Sequence, residues 1–203
     1  AKSETKRVAE VEANWLLWNA LGSRLAIHSA PSGKLWVWRD GQESMVEVAQ
    51  AAHEPAWASD GAKLLFRKPD GELLVYIASV VGSEPISIAK GVRCAAWSPD
   101  GSRLAYATKE SIWICDATGE NPRENVPDQT AVAITWSPDG RSLAFIEPGL
   151  GAGTKATLMT AAVTGSTKVK KANVDGKAIA WSPDGKRIAV ETAAGVEIVD
   201  LDT

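Results

Sequence analysis

Trp97-Ser98-Pro99-Asp100-Gly101 is the stretch that decides the fold of this chain, because it recurs. The same five letters return at 136–140 and at 181–185, and diverged copies stand at 57–61 and 18–22. The tryptophans that open the five copies are 39, 40, 39 and 45 residues apart. A period near forty residues is typical of repeat architectures, in which each repeat is one small supersecondary unit.

Four short apolar runs, separated by turns, follow the same order in the repeats. In the third repeat they are 94–96, 103–106 and 112–115, with a weaker stretch near Val126 that proline and aspartate interrupt. No long stretch has the 3.6-residue period of a helix. Four-stranded antiparallel units arranged around an axis form a β-propeller. The sequence therefore predicts an all-β fold: a five-bladed β-propeller of four-stranded antiparallel blades, in a single domain over residues 1–203. The innermost strands of the blades are expected to end at Trp18, Trp57, Trp97, Trp136 and Trp181.

The residue types of the motif indicate a structural role. Proline at the second turn position already has the required φ, the final glycine accepts a left-handed conformation, and aspartate bonds its local backbone. The tryptophan before the turn is predicted to lie between neighbouring blades, where a side chain of this size buries roughly 150–250 Å². The motif is thus expected to be a turn and a wedge, and to carry no chemistry.

The two ends of the chain predict how the ring closes. The fifth repeat stops after its third strand, 196–199, and Lys6–Val11 is a strand-like run in the phase of the outermost strands. We expect this N-terminal strand to complete the last blade and close the ring, which removes an exposed sheet edge. The alternative is that the chain is a fragment of a six- or seven-bladed ring.

Composition argues against some classes of function. A net charge of −3 and a pI of about 5.5 argue against a nucleic-acid-binding protein, which would carry a basic stripe. The longest nearly apolar run, 73–82, is too short for a membrane span. Cys94 and Cys115 fall on the inner and third strands of one blade, roughly 9–10 Å apart. That distance is too long for a disulfide, so we expect two buried free thiols.

The repeat resembles that of a known family. Trp-Ser-Pro-Asp-Gly-x-x-Leu-Ala-Tyr/Phe, followed by Ile-Trp-Ile-x-Asp-x-x-Gly at 112–119, is similar to the repeat of TolB-type propellers, a WD-like class. The family includes periplasmic proteins that bind envelope partners, and propeller domains attached to peptidases or sensor proteins. The resemblance implies a binding module of a bacterial envelope or sensor protein, located outside the cytoplasm in the periplasm or at the cell surface. The motif residues of the family are structural, so the resemblance assigns no catalytic residue.

No motif of enzyme, cofactor or metal chemistry stands out. Gly149–Lys155 is rich in glycine but lacks the spacing of a phosphate-binding loop, and it is interpreted as a surface loop between two strands. His28 and His53 are the only histidines, and no local spacing supplies the third and fourth ligands of a zinc site. The sequence therefore predicts a protein that is not an enzyme, with no cofactor and no bound metal.

One constellation of residues is a candidate binding site. In a propeller, the loops that enter the inner strands share one face with the loops between the second and third strands. Concave surfaces of mixed chemistry at the mouth of such a ring are common ligand sites. The alternative is a solvated rim without a ligand. The positions on this face are Asn14, Trp15, His53, Glu54, Arg93 and Lys177, with His28, Arg67 and Glu191 at the ends of second strands.

Two functions remain open. The first is recognition of a protein or peptide partner by a monomeric propeller. The second is binding of a small ligand or glycan, because tryptophan often stacks on sugars. Trp36 and Trp113 occupy the same column of the third strand, but the other repeats carry Leu, Met and Glu there. Packing between blades is expected for this column, and an exposed aromatic platform is the alternative.

Overall fold

The only regular secondary structure in the described part of the molecule is the β-strand. A computed structural model describes residues 10–29, 32–80, 82–149, 154–165, 168–174 and 176–201. These residues form nineteen strands in five antiparallel sheets. They contain no helix, and hence none long and apolar enough to cross a membrane. Contacts between residues divide the chain into two compact units, residues 1–88 and 89–203.

The first unit contains two sheets, each with its four strands in chain order. The first sheet consists of β1 (Trp15–Trp18), β2 (Arg24–His28), β3 (Leu35–Arg39) and β4 (Val46–Ala49). The second sheet consists of β5 (His53–Trp57), β6 (Lys63–Arg67), β7 (Leu73–Ile77) and β8 (Ile86–Ala89). The inward faces of the two sheets share a core that includes Leu35, Val37, Leu64, Phe66 and Tyr76. These side chains alternate along their strands, as a sheet packed on that face requires.

The second unit contains three sheets. The third sheet consists of β9 (Cys94–Trp97), β10 (Arg103–Ala107), β11 (Ile112–Asp116) and β12 (Arg123–Val126). The fourth sheet consists of β13 (Ala133–Trp136), β14 (Ser142–Glu147), β15 (Ala156–Ala162) and β16 (Lys168–Val174). The fifth sheet consists of β17 (Gly176–Trp181), β18 (Arg187–Thr192) and β19 (Gly195–Asp200). One core joins the third and fourth sheets, and another joins the fourth and fifth.

The motif forms the predicted turn in every repeat. The amide of Gly101 donates to the carbonyl of Ser98 at 2.9 Å, and Gly101 has a φ of 68°. The Ser98 hydroxyl donates to Asp100 Oδ1 at 2.6 Å, and this bond, together with those from Ser102, lowers the pKa of the Asp100 carboxyl to about 2. In each of the other repeats the amide of the equivalent glycine donates to the carbonyl three residues earlier, and that glycine also has a positive φ.

The most diverged copy of the motif keeps the turn by a different set of bonds. Asn19 stands where the other repeats have serine or alanine, and its side chain is buried. Its Oδ1 accepts from the amides of Ser23 and Arg24, both at 3.0 Å. These are the bonds that Ser98 and Asp100 divide between them in the third repeat. One amide side chain therefore replaces two motif residues.

The predicted wedge is confirmed at the junctions within each unit. Trp57 donates its indole N–H to the carbonyl of Leu17 at 2.8 Å, and Trp136 donates to that of Ala96 at 3.1 Å. Trp136 is 4% exposed. Trp18 differs, because 52% of its surface is exposed among the described residues. Its ring and that of Trp38 meet in an edge-on arrangement, with the ring centroids 6.0 Å apart.

Other expectations have mixed outcomes. The stretch near Val126 is a full strand, β12, although its sequence is weak. Cys94 and Cys115 are buried free thiols on strands that β10 separates, as predicted. The fifth sheet has three strands among the described residues, as its sequence predicts. The strand expected at Lys6–Val11 lies mostly outside the described residues; Glu10 and Val11 are described and lie in no sheet.

Two further predictions concern the glycine-rich loop and the tryptophans of the third strands. Of the loop expected at Gly149–Lys155, residues 150–153 lie outside the described part of the chain. Trp36 and Trp113 are both partly buried, and Trp36 packs against the small core of Leu25, Ile27 and Trp38. This burial favours the packing role that was expected for their column.

Candidate functional site

Six of the nine predicted site residues line one cavity in the first unit. The cavity has a volume of about 400 Å³ and lies where β1 and β5 begin and β2 and β6 end. We call it the entry cavity. Its lining consists of Asn14, Trp15, His28, Gly33, His53, Glu54 and Arg67. Of these described residues, Gly33 alone was not among the candidates.

His28 joins the walls of the entry cavity from inside. It ends β2, and its side chain is buried. One ring nitrogen, Nε2, donates to the carbonyl of Ala52 at 2.8 Å. The other, Nδ1, lies 2.9 Å from the side-chain amide oxygen of Asn14. Because both ring nitrogens are engaged, His28 holds the chain entering β5 against the first sheet.

Trp15 forms the exposed aromatic surface of the cavity. It begins β1 and lies opposite His28 in the β1–β2 register. The two ring centroids are 5.4 Å apart at an interplanar angle of 47°. Trp15 is 36% exposed, so part of the indole is available to a ligand. The rest is fixed by the ring of His28.

A close approach of two loops shapes the floor of the cavity. The amide of Ala52 donates to the carbonyl of Gly33 at 2.9 Å. Gly33 has a φ of 64°, and a Cβ at this position would stand 2.9 Å from the Cα of Ala51. Only glycine fits this contact, for steric as well as conformational reasons. The Ser-Gly-Lys sequence of the β2–β3 loop indicated a turn, but not this approach.

Glu54 and Arg67 form the charged side of the cavity. The β5–β6 register shifts between His53 and Ala56, which is a bulge that re-aims the side chain of Glu54. Glu54 has a φ of 51°, a conformation that a non-glycine residue rarely adopts. Its carboxylate accepts from Arg67 Nη2 at 3.1 Å and from Nε at 3.4 Å. The Glu54 side chain is 65% exposed and that of Arg67 is 22% exposed, so a ligand can reach both.

Two residues beside this cavity have a strained backbone conformation. Four described non-glycine residues have a positive φ, and two of them, Ala51 and Glu54, lie at the start of the second repeat beside the cavity. Such conformations cost of order 1–3 kcal/mol each and tend to cluster at functional sites. His53 begins β5 itself, whereas the sequence interpretation had it just before that strand. Its side chain is exposed at the mouth of the cavity.

The remaining three predicted residues lie in the second unit. Lys177 and Glu191 line a separate cavity of about 330 Å³ with Gly176 and Thr192. The inner strand β17 carries a bulge at Lys177, as β5 does at Glu54. Arg93 is exposed before β9, and its Nη1 donates to the hydroxyl of Thr130 at 3.3 Å. Arg93 lines neither cavity.

A further cavity in the third repeat was not predicted as a site. It has a volume of about 550 Å³, and its walls include Tyr106, Thr108, Glu110 and Trp113. The sequence feature that could have indicated this cavity is Trp113 of the third strand, which was expected to pack between blades. Among the described residues, no group of three His, Cys, Asp or Glu side chains is placed to hold a metal ion.

Sequence comparison finds partial relatives. The chain is 30% identical over 103 residues to the Tol-Pal system protein TolB of Anaeromyxobacter dehalogenans strain 2CP-C. That alignment covers 47% of this chain but only 24% of the relative, so the match spans about a quarter of the relative's length. The chain is also 32% identical over 80 residues to the prolyl endopeptidase FAP of Mus musculus, which covers 30% of this chain and 10% of that protein. No protein-family profile matches the chain.

Structure comparison identifies the fold. TolB from Acinetobacter baumannii superposes with a TM-score of 0.68 at 13% identity, covering 92% of this chain and 51% of that chain. The Cps50 (Swd1) β-propeller domain of Myceliophteria thermophila superposes with a TM-score of 0.66 at 15% identity, covering 90% of this chain and 63% of that chain. At such identities the likeness concerns the fold alone. Together, the sequence and structure comparisons confirm the resemblance to TolB-type β-propellers that the repeated motif predicts.

Proposed function

We propose that this protein is a non-catalytic binding module that recognises a peptide segment of a partner protein at the entry cavity. The observation that carries the proposal is the combination in one open cavity of an exposed indole, Trp15, and an accessible ion pair, Glu54 and Arg67. A peptide offers apolar side chains for the indole and backbone groups for the charged pair. Interface anchors are enriched in tryptophan and arginine.

The entry cavity is also suited to binding because its walls are preorganised. His28 and the Gly33–Ala52 contact hold the two loops before any ligand arrives. A rigid site loses less conformational entropy when it binds, so more of the contact energy appears as affinity. Among its described lining residues there is no serine, threonine or cysteine that could act as a nucleophile. The similarity to a prolyl endopeptidase involves a tenth of that protein, and we propose no peptidase activity.

A peptide-display selection on the immobilised protein tests this function. Trp15→Ala and Arg67→Ala should each weaken a selected peptide by tenfold or more in calorimetric titration, the effect typical of an interface anchor. Arg39→Ala is the matched control, because Arg39 lies at the opposite end of the first sheet. Mass spectrometry should find the peptide intact after incubation. Peptides that bind both cavity variants as tightly as the unaltered protein would contradict the proposal.

We further propose that the partner belongs to the bacterial envelope and that the protein acts outside the cytoplasm. Support comes from the partial similarity to proteins of the Tol-Pal system. Cross-linking in the organism that produces the protein, through a photoreactive residue at His53 and followed by cell fractionation, would identify the partner and its compartment. A cross-link to a cytoplasmic protein that is lost in Arg67→Ala would support binding at the entry cavity and overturn the proposed location.

We propose in addition that the chain forms one domain, a five-bladed ring closed by its N-terminal strand. Leu16 and Trp18 of β1, and Val196 and Ile198 of β19, are large apolar side chains exposed among the described residues. Closure would cover these faces and give β19 a fourth-strand neighbour. Deletion of residues 1–9 should then speed amide exchange in β19. Unchanged exchange there would contradict closure.

A second candidate function is glycan binding at the cavity of the third repeat. The observation that favours it is the pairing of Tyr106 and Trp113 with the polar groups of Thr108 and Glu110 around one open volume of about 550 Å³. A glycan array should then give hits that Trp113→Ala removes and Trp15→Ala leaves. An array without hits would eliminate this candidate.

A further inference from the structure

Neighbouring repeats are linked by a basic side chain at two junctions. The residue two positions past the motif glycine is Arg24 in the first repeat and Arg103 in the third. Arg24 Nη1 donates to the carbonyl of Gly61 at 3.0 Å, and Arg103 Nη2 donates to that of Gly140 at 3.2 Å. Each guanidinium thus bonds the motif turn of the next repeat. Arg103 also lies over the ring of Trp136, 4.8 Å from its centroid.

The junction between the fourth and fifth repeats lacks this link. Ser142 stands at the position of Arg24 and Arg103. A serine side chain is too short to reach the next turn, and in the described part of the chain no donor bonds the carbonyl of Gly185. The indole N–H of Trp181 is buried and has no hydrogen-bond partner among the described residues. Trp57 and Trp136 both have one, so this junction has fewer hydrogen bonds than the junctions at Trp57 and Trp136.

A cavity of about 440 Å³ lies at this junction. Ser142, Trp181 and Gly185 line it, together with Asp139 and Asp184 of the two motif turns. At the equivalent junction of the third and fourth repeats, the guanidinium of Arg103 contacts Trp136 and the carbonyl of Gly140, the counterparts of Trp181 and Gly185. The cavity thus stands where that junction has the side chain of Arg103.

The charge of the cavity suits a cation. Hydrogen bonds from the hydroxyls of Ser137 and Ser182 lower the pKa of the Asp139 and Asp184 carboxyls. Both are therefore ionised at neutral pH, and each is bonded through Oδ1 to its own turn. Arg187 lies 3.8 Å from Asp184 Oδ2 in an exposed ion pair. That contact is at the surface, where ion pairs contribute little.

We propose that this cavity binds the guanidinium group of an arginine side chain carried by a partner polypeptide. The guanidinium stacks on Trp181, donates to the carbonyl of Gly185, and is neutralised by Asp139 and Asp184. Arginine fits better than lysine, because a planar guanidinium both stacks on an indole and donates in several directions. The site lies in the second unit and goes beyond the proposed function of the entry cavity.

The test is a titration with N-acetyl-arginine-N′-methylamide, followed by the indole N–H signals in ¹⁵N-correlated NMR spectra. The Trp181 signal, assigned with Trp181→Phe, should shift to saturation. The citrulline analogue has the same shape without the charge, and it should bind about tenfold more weakly or worse, because charge-assisted hydrogen bonds are roughly twice as strong as neutral ones. The lysine analogue should also bind more weakly than the arginine compound.

Two variants separate the proposal from a nonspecific effect. Ser142→Arg fills the cavity from within the chain, so it should abolish the shift of Trp181 without lowering the urea midpoint. Arg103→Ser empties the equivalent place at the preceding junction, so it should create a second site whose titration shifts the Trp136 signal. Arg67→Ala should leave the titration unchanged, which keeps this test independent of the entry cavity.

The outcomes are distinct. Equal binding of the citrulline analogue, or full binding by Ser142→Arg, would overturn the proposal. So would the absence of any saturable shift, which would indicate that solvent or the chain's own Arg141 or Lys186 fills the space. If Ser142→Arg proved unstable, failure of Arg103→Ser to gain a site would overturn it equally. Self-association that Ser142→Arg removes would support the site and identify a second copy as the source of the arginine.

Discussion

Trp136 offers the sharpest test of how the repeats are held together. It buries roughly 150–250 Å², and at about 25 cal/mol per Å² this burial contributes about 4–6 kcal/mol. Measured losses for large-to-small changes of this kind are about 3–5 kcal/mol. Its indole N–H also bonds the carbonyl of Ala96, and the guanidinium of Arg103 lies over its ring. We therefore expect Trp136→Ala to lower the free energy of unfolding by about 4 kcal/mol.

Urea unfolding followed by circular dichroism measures this loss. With a slope of about 2 kcal/mol per molar urea, a loss of about 4 kcal/mol lowers the midpoint by about 2 M. Trp18→Ala is the matched control, because Trp18 has the same place in its repeat but is 52% exposed. About half the area is buried there, so the loss should be about 2 kcal/mol or less. Trp136→Phe should lose about 1 kcal/mol through the hydrogen bond alone.

A loss below about 2 kcal/mol for Trp136→Ala would refute the view that the motif tryptophan stabilises the protein by packing between neighbouring repeats. A loss at Trp18 as large as that at Trp136 would have a different meaning. It would indicate that another segment covers Trp18, as the proposed closure of the ring requires.

Three further predictions concern the turns and the thiols. The pKa of the Asp100 carboxyl is about 2 in the folded protein, against an ordinary value of 3.8. The contribution of this carboxylate to stability is therefore present above about pH 4 and is lost as the pH falls towards 2. The urea midpoint of Asp100→Asn should fall less steeply over this range than that of the unaltered protein, and identical slopes would contradict this contribution. Gly61→Ala should destabilise more than Gly22→Ala, because both glycines have a positive φ but only at Gly61 would a Cβ meet Asn19 Nδ2, at 2.6 Å; equal midpoints would disprove the contact. Burial raises the pKa of the Cys115 thiol to about 11, so a disulfide reagent at pH 8 should react with this thiol only on unfolding, and rapid labelling of the native protein would contradict the burial.

Local chemistry explains why so much of the fold was predictable. The Ser-Pro-Asp-Gly turn is determined within five residues, and the strands on either side are short apolar runs with the composition of strands. The stretch near Val126 was judged weak because Pro127 and Asp128 interrupt it, but the strand, 123–126, ends just before them. In the structure it pairs with β11, and Val126 is buried against the core of the third and fourth sheets. Tertiary packing thus overrode a weak local preference.

The candidate site was predictable only as a set of positions. Knowing that certain loops share a face was enough to nominate Asn14, Trp15, His53, Glu54 and Arg67, which the structure brings together around one cavity. His28 was nominated for the same reason, but its ring is buried and engaged on both nitrogens. Burial depends on what the following repeat places over a side chain, and no pattern within the first repeat contains that information.

The sequence by itself determined the repeat, the number of sheets and the type of turn, because each of these depends on residues that are neighbours in the chain. Only the tertiary structure decided what lies between repeats. Three features involve segments that are far apart in sequence or belong to different repeats: the approach of Gly33 to Ala51, the bonds of His28, and the cavity beside Ser142. Trp-Ser-Pro-Asp-Gly is the same in three repeats, yet its surroundings differ because a single position two residues later is arginine in some repeats and serine in another.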